Sequence, residues 1–136
     1  MPKRTAPTSS DPNGRYYWNA LREHRLMLQH CGNCGCVPFP PRAFCPECWS
    51  DSLEWRAHSG EGKVSSFVWY TKSLDARFPE VPYNVSLIAL AKGPVVISNV
   101  VEVAFGDLHI GDAVQAHFSD ESESFTALLF VKTLGR

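Results

Sequence analysis

The chain has 136 residues, 44% of them hydrophobic and 20% charged, and a formal net charge of −1. That length holds one ordinary domain, or a small metal-held module beside one. No apolar run is long enough to span a bilayer as a helix, and the near-balanced charge counts against a surface devoted to nucleic acid, which is normally basic.

Residues 1–14 are rich in Pro, Ser, Thr, Asp, Asn and Gly and read as a disordered tail. No apolar run follows Lys3 and Arg4, so nothing there reads as a secretory signal, and a cytoplasmic location is expected. Residues 15–25 form an amphipathic segment: Tyr17, Trp18 and Leu21 fall on one helical face, with Arg15, Arg22 and Glu23 left for solvent. So short a helix is marginal alone and needs something to dock against, either its own domain or a partner.

Leu26 to His30 reads as a short strand leading into Cys31, the first of four regularly spaced cysteines. Cys31, Cys34, Cys45 and Cys48 form two C-x2-C pairs. A two-residue gap lets two thiolates from one tight turn reach one ion, and two such turns complete a tetrahedral shell, the arrangement of a structural zinc site. Gly32 and Gly35 permit the backbone of the first knuckle, and Pro46 presets the turn of the second. Four thiolates leave no open position for a substrate. Iron in the same shell, as in rubredoxin-type electron carriers, is the chief alternative. Four lost protons and one divalent ion would take the formal charge from −1 to −3. Cys36, the odd thiol, reads as a small packed side chain. The loop Val37 to Phe44 contains three prolines and is too restricted for helix or central strand. Residues 26–52 thus read as a zinc ribbon.

From residue 53 to 136 the period changes to two. Leu53 and Trp55 begin a strand that Ser59 to Gly62 breaks or bulges, and Lys63 to Thr71 resumes it. Asn84 to Ala91 and Val95 to Val103 are joined at Lys92-Gly93-Pro94, a hairpin signal. Ala113 to Phe118 and Phe125 to Thr133 follow, linked by the acidic turn Ser119 to Ser124. Five strands without a crossover helix predict a five-stranded barrel of the OB type, with a small open β-sandwich as the alternative. The fold class expected is mainly β: N-terminal helix, rubredoxin-like zinc ribbon, OB-fold barrel.

Catalytic motifs are missing from the pattern. The five histidines are scattered, and neither a nucleophile elbow nor a glycine-rich phosphate loop occurs. An enzyme acting alone is therefore not the expectation.

The segments Tyr17-Trp18-Asn19-Ala20-Leu21-Arg22-Glu23, Leu28-Gln29-His30-Cys31-Gly32-Asn33-Cys34-Gly35 and Pro40-Pro41-Arg42-Ala43-Phe44-Cys45-Pro46-Glu47-Cys48 resemble the OB-fold acyl-CoA-associated proteins that carry a rubredoxin-like zinc ribbon. Ser59-Gly60-Glu61-Gly62-Lys63-Val64 and Ile110-Gly111-Asp112-Ala113-Val114 extend the resemblance, which spans about residues 16–133. It implies one structural zinc on Cys31, Cys34, Cys45 and Cys48. It also implies a companion subunit for thiolase-superfamily enzymes, among them thiolases, acyltransferases and steroid side-chain retro-aldolases. Such a subunit supports assembly and helps shape the acyl-CoA site. On that footing Tyr17, Trp18, Arg42 and Phe44 are candidate partner contacts, and Trp69, Tyr70 and Phe78 could flank an acyl chain. Arg42, Lys72 and Arg77 are loop cations that could meet CoA phosphates. Single-stranded nucleic-acid binding is the competing reading, because OB barrels often stack bases on aromatic rings.

Overall fold

The computed structural model describes residues 7, 11–74, 76 and 80–133. Helix α1 spans Pro12–Arg22. The Asp11 carboxylate caps it by accepting from the Gly14 N–H at 3.1 Å, and Pro12 occupies the first turn, where a missing N–H costs nothing. The helix thus begins inside the stretch expected as tail, because Asp11-Pro12 is a cap and not loop composition. It stops at Arg22, where His24 takes a left-handed backbone (φ 58°). Tyr17, Ala20 and Leu21 are its buried residues.

Strand β1 (Leu26–Cys31) pairs antiparallel with β2 (Leu53–His58), from Leu26 opposite His58 to Cys31 opposite Leu53. Leu53 and Trp55, expected to open the OB-fold domain, stand in β2, whose ladder partner is β1. Gly60 (φ 85°) separates β2 from the barrel. An added Cβ there would stand 2.6 Å from the Ala116 Cβ, so only glycine lets the two backbones approach this closely.

The barrel contains β3 (Glu61–Tyr70), β4 (Tyr83–Leu90), β5 (Val95–Ser98), β6 (Val100–Val101), β7 (Ala113–Ser122) and β8 (Phe125–Lys132). Their order in the sheet is β5-β4-β3-β7-β8-β6. All neighbours are antiparallel except β6 with β8. The two edge strands are consecutive in the chain with only Asn99 between them, so the sheet has to curl until its edges meet. The result is OB-like without being a continuously hydrogen-bonded cylinder. Counting β5 and β6 as one interrupted strand gives the five expected. The Lys92-Gly93-Pro94 hairpin forms as anticipated.

The acidic segment 119–124 is mostly strand and not turn. β7 runs to Ser122 through a bulge between Asp120 and Ser122, because Asp120 faces Thr126 and accepts its hydroxyl at 2.7 Å. The same carboxylate meets His24 Nε2 at 3.0 Å, while the His24 ring stacks on Phe118. These contacts tie the end of α1 to the β7–β8 hairpin.

One apolar core joins all three parts. Tyr17 and Leu21 of the helix, Leu26 and Leu28 of β1, and Val64, Ile88, Val96, Val100, Val114 and Phe130 of the barrel form a single buried cluster. The helix therefore docks on its own domain. The ribbon is held to the barrel by hydrophobic burial as well as by the chain.

A tetrathiolate centre and the surfaces around it

The two knuckles repeat one local geometry. In the first, the Cys31 N–H donates to Cys36 O at 2.8 Å and the Gly35 N–H to Cys31 O at 2.9 Å. In the second, Cys45 donates to Ser50 O and Trp49 to Cys45 O, both at 2.8 Å. The residue after each second cysteine is left-handed: Gly35 at φ 81° and Trp49 at φ 64°. Each turn thereby aims two sulfurs at a common point.

All four sulfurs lie within 4.8 Å of one another, with Cys31 to Cys48 at 3.6 Å and Cys34 to Cys45 at 3.5 Å. Both spacings are too long for disulfides, whose sulfurs stand about 2.05 Å apart. Tetrahedral zinc at about 2.3 Å from each sulfur requires edges of about 3.8 Å, so the cluster fits the ion. Donors around it fit thiolates: the N–H groups of Asn33 and Cys34 point at Cys31 Sγ (3.4 and 3.5 Å) and that of Glu47 at Cys45 Sγ (3.4 Å). The Asn33 side-chain amide donates to Cys48 Sγ at 3.3 Å. That amide is the main reason the Cys48 thiol is pulled down to about 6. Cys45 is buried, which opposes ionisation, yet backbone N–H groups led by those of Cys48 and Glu47 bring its pKa below the ordinary value. At Cys34 a backbone hydrogen bond to Cys36 favours the thiolate, but Cys45, burial, Cys48 and Cys31 together push the thiol up to about 12. Four sulfurs this close can all ionise only with a cation among them. The site accommodates one structural zinc ion, which would lock the knuckles and carry no reactive position. Cys36 is outside the cluster.

The Pro40-Pro41-Arg42 lead is positioned by a residue whose role the sequence did not disclose. Gln29, buried within β1, donates its amide to Arg42 O and accepts from the Arg42 N–H, both at 2.8 Å. The side chain acts as a stand-in strand edge, fixing the Arg42 backbone while its guanidinium end remains exposed. A polar residue directly after three apolar ones in the strand was the available signal.

The candidate contact residues fall on three parts of the fold. Tyr17 is only 5% exposed and packs edge-on against Trp18 and Phe39, so it belongs to the core; burial drives its hydroxyl pKa far up. Trp18 is half-buried against Phe125. Phe44, beside the second knuckle, is 53% exposed. On β3, Trp69 meets Phe105 edge-on and Tyr70 stacks on Tyr83. Lys72 is exposed, whereas Arg77 and Phe78 lie outside the described residues. Between α1 and the barrel runs an apolar groove of about 310 Å³, lined by Tyr17, Trp18, Phe39, Ile97, Phe125 and Leu128 among others. Trp49, 77% exposed, was missed. Among the described residues no helix is long and apolar enough to cross a membrane.

Fold and site together define a zinc-ribbon OB-fold protein. Residues 18–54 match the family model described as ChsH2, rubredoxin-like zinc ribbon domain, and residues 55–119 that of the ChsH2 C-terminal OB-fold domain. The chain belongs to this ChsH2 (DUF35) family. It is 33% identical, over 71% of its length and 74% of the relative's, to a DUF35 domain-containing scaffold protein of Methanothermobacter thermautotrophicus. It is 26% identical over 95% of its length to a probable enoyl-CoA hydratase alpha subunit of Thermomonospora curvata, of which it spans only 44%. Among solved structures it resembles a chain of the Ltp2-ChsH2(DUF35) aldolase, with a TM-score of 0.83 and 25% identity, covering 93% of this chain and 98% of that one.

Proposed function

We propose that this protein is a non-catalytic accessory subunit of a thiolase-superfamily acyl-CoA enzyme, supporting assembly and the acyl-CoA site of its partner in the cytoplasm. The observation that carries the reading is the near full-length likeness to a chain of an aldolase assembly. The site chemistry agrees: four thiolates saturate a metal without leaving a reactive position, so the ion stiffens a platform. The groove between α1 and the barrel has the size and apolar lining suited to part of an acyl group. Carbon–carbon bond chemistry, whether retro-aldol cleavage or thiolysis, would then fall to the thiolase-like chain.

Nucleic-acid binding is the weaker reading. OB barrels commonly hold oligonucleotides on the face of their second and third strands. Here these are β4 and β5, whose exposed large side chains are the aliphatic Leu87, Val95 and Ile97 in place of aromatic and cationic groups. Coexpression with a thiolase-like protein from the same source tests the proposal. A stable complex should co-elute, and acyl-CoA turnover should depend on both chains. If the two never co-elute and the thiolase-like chain is fully active alone, the proposal fails.

A further inference from the structure

The two knuckles are near-copies, yet they differ at their left-handed residue. In the first this is Gly35, the residue that adopts such a backbone without strain. In the second it is Trp49, a bulky residue for which φ 64° is a true outlier. Strain of this kind persists where the surrounding structure enforces it, and it clusters where function needs it. Inside the chain the Trp49 ring gains little in return. It is 77% exposed, and no ring contact among the described residues involves it. At the equivalent position in the first knuckle, a Cβ on Gly35 would meet nothing within 4 Å. The geometry of the knuckle therefore points this residue away from its own protein. At the other end of the same knuckle Phe44 is 53% exposed.

We infer that Trp49, assisted by Phe44, is a docking knob that inserts into an apolar pocket with a cationic rim on the partner subunit; this rests on the companion reading above. Tryptophan is among the residues most enriched at the energetic centre of interfaces. The charge around it sets the partner's chemistry: Glu47 and Asp51 flank Trp49 at two residues on either side, the nearest cations in sequence, Arg42 and Arg56, each stand seven residues away, and a zinc tetrathiolate would add net negative charge beside the acids. A pocket rimmed by Arg or Lys complements both the acids and the ring face. A second copy of this chain is a poor occupant. Its own apolar groove, between α1 and the barrel, has no Arg or Lys in its lining and so lacks the cationic rim.

The test uses the full-length zinc-loaded chain, its thiolase-like partner, and the variants Trp49→Gly and Trp49→Asn, both suited to a left-handed backbone. Each variant should retain one zinc per chain and melt at or above the wild-type temperature, yet bind the partner at least about 30-fold more weakly, the fold-change of a 2 kcal/mol hot spot. Variants that bind within twofold of wild type overturn the inference while leaving the companion reading intact. Lower melting temperatures or lost zinc also overturn it, by making Trp49 structural. Wild-type chain that binds no thiolase-like partner removes the companion reading and the inference with it. Self-association abolished by Trp49→Gly would mean that the occupant is a second copy, contrary to the proposal.

Discussion

The junction that curls the barrel depends on one side chain, Asn84. It is 3% exposed, and its amide does three things at once: Nδ2 donates to Val100 O at 2.7 Å, and Oδ1 accepts from the Val100 N–H at 2.9 Å and from the Ser86 hydroxyl at 2.7 Å. Val100 is where the ladder to β4 has lapsed after Asn99, so Asn84 replaces the missing strand. Replacing it with Ala leaves a buried backbone N–H, a buried carbonyl and a buried hydroxyl short of partners. At about 1–3 kcal/mol for each group left unsatisfied, and with partial relief by rearrangement, the loss is on the order of 4 kcal/mol. That is a large part of the 5–15 kcal/mol that typically holds a domain together. For a chain of this size it corresponds to a fall in Tm of roughly 15 °C. Thermal unfolding of the zinc-saturated protein by circular dichroism measures it. Asn84→Asp should do no better than Asn84→Ala, because a carboxylate cannot donate to the Val100 carbonyl. A fall of less than about 3 °C in Asn84→Ala would refute the claim that this amide completes the barrel.

Other outcomes follow from single positions. Gly60→Ala adds a Cβ 2.6 Å from the Ala116 Cβ at φ 85°, whereas Gly106→Ala at φ 93° meets nothing within 4 Å; urea titration should show a loss of about 1–2 kcal/mol for Gly106 and clearly more for Gly60, and equal losses would rule out the steric account. Cys45→Ser should lower zinc below one per chain by elemental analysis, while Cys36→Ser should leave it at one; a loss in Cys36→Ser contradicts the four-ligand assignment. The Thr126 hydroxyl, and then His24, favour ionised Asp120 and hold its pKa below the usual carboxylate range. Because the unfolded chain takes up this proton at higher pH, the contribution is complete above the ordinary value of about 3.9 and is lost as pH falls through the lower folded value. Asp120→Asn should flatten that part of the acid-unfolding curve; an unchanged curve means the contact contributes nothing.

Local chemistry explains what could be read in advance. The zinc ligands were legible because C-x2-C is a turn-scale constraint that survives any tertiary arrangement. The barrel strands were legible because one buried face imposes a period of two. The Asp11-Pro12 cap and the acidic part of β7 were misread, since the same residues compose loops. Pairing of Ser119, Asp120 and Ser122 with Ala127, Thr126 and Phe125, reinforced by the Asp120 contacts to Thr126 and His24, makes that segment a strand.

By itself, then, the sequence determined the four metal ligands, the ribbon, the OB-type strand pattern and the family. Each of these is encoded within a few residues or in a repeating period. Tertiary structure alone decided that β2 pairs with β1, that Tyr17 is core, that Gln29 clamps the Arg42 backbone, and that Trp49 stands out in solvent. The physical reason is common to all four. Burial and hydrogen-bond partnership arise between segments far apart in the chain, and a side chain's type does not say which neighbour will cover it.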